Sequence, residues 1–197
     1  MKLYAISDLH LDYKINYEAL TTLPTFPEDW LILAGDICCR VEHLRFALAN
    51  LTKRFAKLLW VPGNHELWNG VAGIIERGEE KYQQLVSVCR EFGVYTPEDP
   101  YPLWQGEGGT HSLVPLFLLY DYSFRPPHVP LEDAVTWAKE SGITCTDEYF
   151  LDPYPYTTTV NWCSARCEYS EQRLLEMPAN IPKILINHYP LRKDLLY

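Results

Sequence analysis

Four short apolar runs, each followed at once by metal-ligating side chains, constrain the fold of this chain more than any other feature. The runs are Leu3-Tyr4-Ala5-Ile6, Trp30-Leu31-Ile32-Leu33-Ala34, Leu58-Leu59-Trp60-Val61 and Ile184-Leu185-Ile186. Behind them stand, in turn, Asp8-Leu9-His10, Gly35-Asp36, Gly63-Asn64-His65-Glu66 and Asn187-His188. Short apolar runs that alternate with helical stretches read as parallel strands of an α/β sheet, buried on both faces. Open sheets of this kind bind ligands at the carboxyl ends of their strands, where all of these polar residues fall.

The spacing suits a two-metal centre. Asp8 and His10, two residues apart at a strand end, point to one side and can share a cation. The two oxygens of Asp36 can bridge two cations held ~3.5–4 Å apart, the separation of two-metal hydrolytic sites. Asn64 offers a neutral amide oxygen and His188 an imidazole nitrogen. Such a mixed donor set favours two divalent ions of Mn, Fe or Zn over calcium, which takes all-oxygen shells.

These segments, in this order, resemble the calcineurin-like metallophosphoesterase superfamily. The resemblance spans residue 1 to about residue 190, although the motifs fix only a small part of the chain. It implies an α/β fold, a four-layer α/β/β/α sandwich with a dinuclear metal site at the edge of its two sheets. It also implies that Asp8 and His10 bind the first metal, that Asp36 bridges, and that Asn64 and His188 bind the second. His65 then protonates the leaving group or contacts the phosphate, and Arg40 keeps a basic position that meets either phosphate or a structural carboxylate.

Two departures from the family pattern carry expectations of their own. Many members place a second Asp three residues after the bridging one, to orient the histidine of the Asn-His-Glu segment. Here that place holds Cys39, a weak hydrogen-bond partner. Members also close the site with a Gly-His-x-His segment beyond the His188 position, and none follows here. His43, His111 and His128 lie in the wrong order and context to replace it. The chain is therefore expected to be part of a longer protein, with the sandwich lacking its C-terminal strands and this chain turning over weakly.

Composition bounds the rest. At 197 residues and 47% hydrophobic, the chain suffices for one domain with a full core. The apolar start is too short for a signal peptide, and no run reaches membrane-spanning length. Six cysteines without a secreted spacing pattern fit free thiols and a cytoplasmic location. Cys163 and Cys167 read as two thiols one helical turn apart. A net charge of −9 disfavours nucleic acid and acidic lipid as partners.

Between the motifs, apolar spacing predicts helices over residues 42–56, 71–92, 132–142 and 164–177. Gly93 suits a helix end, and residues 94–96 should open a strand. His43, just inside the first helix, reads as a surface or capping residue. The charged run 76–81 reads as a solvated face. Residues 157–160 are β-prone or a cap, residues 111–120 read as a buried strand of a second sheet, and 183–188 as the last strand. Residues 96–156 hold most of the prolines and many aromatics, and read as an insertion or lid in which Arg125 or His128 can meet a phosphate.

The function that follows is metal-dependent hydrolysis of a phosphomonoester or phosphodiester by a metal-bridging hydroxide. The substrate is a phosphorylated small molecule, a nucleotide or a phosphoprotein; the residues do not choose among them. The alternative is an inactive scaffold, or a nucleotide- or protein-binding module, on the same fold.

Overall fold

The computed structural model describes residues 1–70 and 73–196. The first three apolar runs form β1 (Leu3–Ile6), β2 (Phe26–Ala34) and β3 (Phe55–Val61), a parallel sheet in the order β1-β2-β3. Ile6 pairs with Leu33, and Leu33 with Trp60, so all three strands end at one edge. Parallel neighbours need crossovers; α1 (Lys14–Leu20) and α2 (Val41–Leu51) supply them.

The second sheet is mixed. β4 (Leu103–Gly106) and β5 (Gly109–Pro115) form an antiparallel hairpin, and β6 (Lys183–Ile186) adds parallel to β5. Between β5 and β6 lie α4 (Ala134–Glu140), α5 (Asp147–Phe150) and α6 (Thr159–Leu175). Alternate side chains of β2 and β3 divide between two cores. Ile32, Leu59 and Val61 meet Leu113 and Ile186 of the second sheet. Leu31, Leu33, Leu58 and Trp60 face the larger core, with Leu44 and Leu48 of α2 and Tyr82 and Leu85 of α3 (Gly78–Glu91). Burial on both faces explains the near-continuous apolar runs.

Helix ends follow local chemistry. At the end of α3, Gly93 takes φ +68°, its N–H reaches Arg90 O at 3.0 Å and that of Val94 reaches Cys89 O at 3.0 Å. This is the Schellman arrangement. The Thr158 hydroxyl accepts from Asn161 N at 3.1 Å and caps α6, so residues 157–160 are a cap rather than a strand. Arg166 of α6, nearly buried, pairs with Glu98 at 2.5 Å and lies over the rings of Tyr82 and Phe117.

Several expectations are corrected. The helix predicted to reach residue 56 stops at Leu51, because Phe55 is taken into β3 opposite Phe26 and lies 6.1 Å from the Tyr4 ring. The helix predicted from residue 71 starts at Gly78; Val71 and Ala72 lie outside the described residues. Residues 94–96 form no named strand, only a parallel bridge of Tyr95 to Leu59. The strand predicted over 111–120 ends at Pro115, which brings no N–H to a ladder, and the Asn187 side chain then accepts from Leu118 N at 3.0 Å. The helix predicted from residue 164 begins five residues earlier, at Thr159, directly after its Thr158 cap. Lys81, read as part of a solvated face, is wholly buried.

Candidate metal centre

The site forms where two loops leave neighbouring strands and remain bonded to each other. Asp8 N donates to Gly35 O at 3.0 Å, His10 N to Asp36 O at 3.0 Å and Leu11 N to Ile37 O at 2.8 Å. This pairing holds Asp8, His10 and Asp36 at φ 56°, 43° and 55°, in the left-handed region. Non-glycine residues there cost about 1–3 kcal/mol each and gather where function requires them.

Glycine is required twice. Gly35 has φ +87°, and a Cβ on it would stand 2.6 Å from His188 Nδ1. A Cβ on Gly63 would stand 2.6 Å from Asp36 N. These close approaches let β6 and the β3 loop press against Asp36.

The acceptor behind this packing is Glu66, wholly buried. Its Oε2 accepts from Asp36 N and from Gly63 N, each at 2.9 Å, and its Oε1 from Ile37 N at 2.6 Å. One carboxylate thereby joins the β2 and β3 loops from beneath. Burial, with the Asp36 charge beside it, pushes Glu66 up to about 7.

Above it, Asp36 is 4% exposed and its Oδ1 accepts from His65 N at 3.0 Å. Asp36 Oδ2 lies 3.5 Å from His188 Nε2 and 3.9 Å from His65 Nε2, while His10 Nε2 is 3.7 Å from Asp8 Oδ1. The ligating atoms fall into two groups, His10–Asp36–His65 and Asp8–Asp36–His188, each within 4.8 Å. Asp36 belongs to both.

His188 Nδ1 lies 2.9 Å from Ala34 O. A carbonyl only accepts, so Nδ1 carries the proton and Nε2 keeps its lone pair toward Asp36. Converging carboxylate oxygens and imidazole nitrogens, with strained backbone beneath them, fit divalent cations.

Asn64 stands beside these groups with its Nδ2 donating to Asp147 Oδ1 at 2.7 Å. That bond fixes the amide through its nitrogen and leaves Oδ1 as its acceptor atom. Asp147, nearly buried, also accepts from Trp68 Nε1 at 2.6 Å and from the Tyr189 hydroxyl at 3.4 Å. The Trp68 ring stacks 3.7 Å from that of His65.

His65 Nδ1 meets Cys39 Sγ at 3.5 Å. Burial pushes the Cys39 thiol up to about 12 and holds His65 below its ordinary value. The pair is neutral at pH 7. Lys81 Nζ donates to the carbonyls of Cys39 (3.2 Å) and Trp68, securing both flanks of His65.

Arg40 Nε lies 3.9 Å from Asp12 Oδ1. Asp12 also takes His43 Nδ1 at 3.0 Å and Cys39 N at 2.7 Å, so Arg40 sits beside a structural carboxylate. Arg125 donates to the carbonyls of Val129 and Tyr122, and His128 is exposed. All six cysteines are free, and no helix among the described residues is long and apolar enough to cross a membrane.

Sequence reasoning overlooked three residues. Glu66 lay inside a quoted motif, and its spacing three residues beyond Gly63 was the available signal. Lys81 was hidden in a charged run. Asp147 carries no local signal, because its partners lie 83, 79 and 42 residues away.

A family model described as calcineurin-like phosphoesterase matches residues 1–195. The chain is 44% identical over 195 residues to the [acyl-carrier-protein] phosphodiesterase PptH of Mycobacterium tuberculosis. That match covers 98% of this chain and 60% of the relative's length. It also superimposes on the crystal structure of the phosphopantetheinyl hydrolase PptH from M. tuberculosis, with a TM-score of 0.93 and 43% identity, over 98% of this chain and 70% of that one. Match to the family model over nearly its whole length, together with the site built at the ends of β1, β2, β3 and β6, establishes that the chain belongs to the calcineurin-like phosphoesterase family.

Proposed function

We propose that this protein is a metal-dependent phosphodiesterase that releases phosphopantetheine from a carrier protein. The observation that carries the metal-dependent part is Asp36, common to two ligand groups whose atoms lie within 4.8 Å. The substrate class rests on 44% identity to PptH over 98% of the chain. A two-layer β core with helices outside it, the four-layer sandwich of the resemblance, belongs to the same reading, as do the residue 96–156 lid and a cytoplasmic location.

In this reading Asp8, His10, Asp36, Asn64 and His188 hold two divalent ions of Mn, Fe or Zn. Those ions, when bound, would polarise the phosphoryl oxygens and activate the attacking water. The remaining work belongs to side chains. His188 presents Nε2 because Ala34 fixes its Nδ1 proton, and Asn64 presents Oδ1 because Asp147 holds its amide nitrogen. His65, neutral and stacked on Trp68, can offer a hydrogen bond from Nε2–H to the departing oxygen when its Nδ1 accepts from the Cys39 thiol. With His65 kept as the donor to the leaving oxygen, its group is left with two titratable ligands, His10 and Asp36, among the described residues, so turnover by this chain is expected to be slow.

Manganese titration by calorimetry tests the site: about two ions per chain in the native sequence, and loss of binding in Asp36→Asn. Mass spectrometry then follows phosphopantetheine released from a phosphopantetheinylated acyl carrier protein. Binding without release would favour the inactive scaffold, and no binding would overturn the metal centre.

A further inference from the structure

A cavity of about 650 Å³ opens beside the metal-binding residues. Asn64, Asp147 and Tyr189 form the wall on the metal side, residues 118–125 run along it, and Ala138 of α4 with Cys163 and Cys167 of α6 contribute helical walls. With Asn64 in its wall the opening adjoins the residues that would hold the metals, so one of the two substituents of a phosphorus bound there would lie beside it.

The volume decides which substituent enters. A folded carrier protein cannot, whereas pantetheine, with about 18 non-hydrogen atoms, belongs to the ligand class that cavities of roughly 300–1,000 Å³ enclose. Charge decides against a nucleotide. Among the described residues Arg125 is the one cationic side chain on the wall, and its guanidinium is spent on the carbonyls of Val129 and Tyr122. Asp121 and Asp147 also line it, and both would repel a second phosphate. A neutral chain with methyl groups, methylenes, two amides and a terminal sulfur matches a wall of Leu, Tyr, Phe, Trp and Cys side chains with an occasional hydroxyl or amide.

We propose that this cavity is the binding site for the pantetheine arm, the substituent that stays on phosphorus. The inference rests on the phosphodiesterase reading for its orientation. Water adds to phosphorus, the P–O bond to the carrier's side-chain oxygen breaks, that oxygen leaves with a proton, and phosphopantetheine remains as the monoester. The carrier protein stays outside the cavity throughout.

The probe is S-methyl pantetheine, which has no phosphate to bind metal and no thiol to consume reagent. Titrated into the metal-free chain, it should change the tryptophan fluorescence and slow alkylation of Cys167 by iodoacetamide. Cys167 suits this footprint because it is exposed and its thiol is drawn down to about 7, chiefly by its hydrogen bond with Cys163. Ala138→Trp, which fills the space, should weaken binding at least about tenfold, a difference of about 1.4 kcal/mol, while Ala138→Ser should bind as the native chain does. Cys167 protection in the native chain stands alone if the tryptophan variant does not fold.

No protection at millimolar S-methyl pantetheine would overturn the assignment, and so would protection by ADP in its place. Binding of the probe without release of phosphopantetheine from a carrier protein would refute the hydrolase reading while leaving the cavity assigned. Release without probe binding would do the reverse.

Discussion

Replacing Glu66 by Gln and by Ala separates its hydrogen bonds from its charge. Both substitutions remove the buried carboxylate, so the cost of the charge cancels between them. A glutamine oxygen placed where Oε2 lies retains the bonds from Asp36 N and Gly63 N and loses only the one from Ile37 N. Alanine loses all three. Each buried N–H left without an acceptor costs about 1–3 kcal/mol, so Glu66→Ala should be less stable than Glu66→Gln by about 2–6 kcal/mol. For a chain of this length that is a gap in melting temperature of at least about 4 °C.

The assay is thermal melting of the metal-free proteins across pH 4.5–8. In the native chain Glu66 titrates at about 7, above an ordinary carboxyl, so the folded state binds a proton that the unfolded state has released. Its contribution to stability is therefore full below about pH 4.5 and declines as pH rises to about 7. Neither variant should show that decline. Equal stability of the two variants, within about 1 kcal/mol, would refute the role given to Glu66 as the acceptor that joins the two loops.

Two further perturbations act on other parts of the site. Asp147→Ala frees the Asn64 amide and the Trp68 indole, and should weaken manganese binding about 10–100-fold by calorimetry, the usual effect of losing a group that orients a ligand. Unchanged affinity would remove Asp147 from the site. Gly35→Ala strains a residue at φ +87° and drives a methyl against His188, so the melting temperature should fall by about 2 °C or more and manganese binding should drop toward one ion per chain. A variant that still binds two ions would show that His188 need not pack so closely.

Much of the parallel sheet and the site was legible because each informative signal is local. Apolar runs bounded by Asp8, Asp36, Asn64 and His188 mark strand ends whatever the rest of the chain does. Boundaries were less legible, since competition decides them: Phe55 fits a helical pattern but gains more by packing with Phe26 and Tyr4 in the sheet. The burial of Lys81 was invisible for a related reason. Its environment consists of two carbonyls from segments 42 and 13 residues away, and no spacing rule on α3 encodes them. Arg40 was left between two partners by the sequence, and the structure places Asp12 within 3.9 Å of its Nε.

In the proposed ligand set His188 comes from the second sheet and Asp8 and Asp36 from the first, and the Nδ1 of His188 already reaches across to Ala34, 154 residues earlier in the chain. An ion held by that group is therefore a rivet through both sheets as well as a reagent. It would assemble only once Ala34 and His188, 154 residues apart, have come together, and its release would go with β6 lifting away from β2. Occupancy of that position and closure of the two sheets on each other would then be one event seen by two probes, and any contact that steadies β6 would lengthen the residence of the metal without touching it.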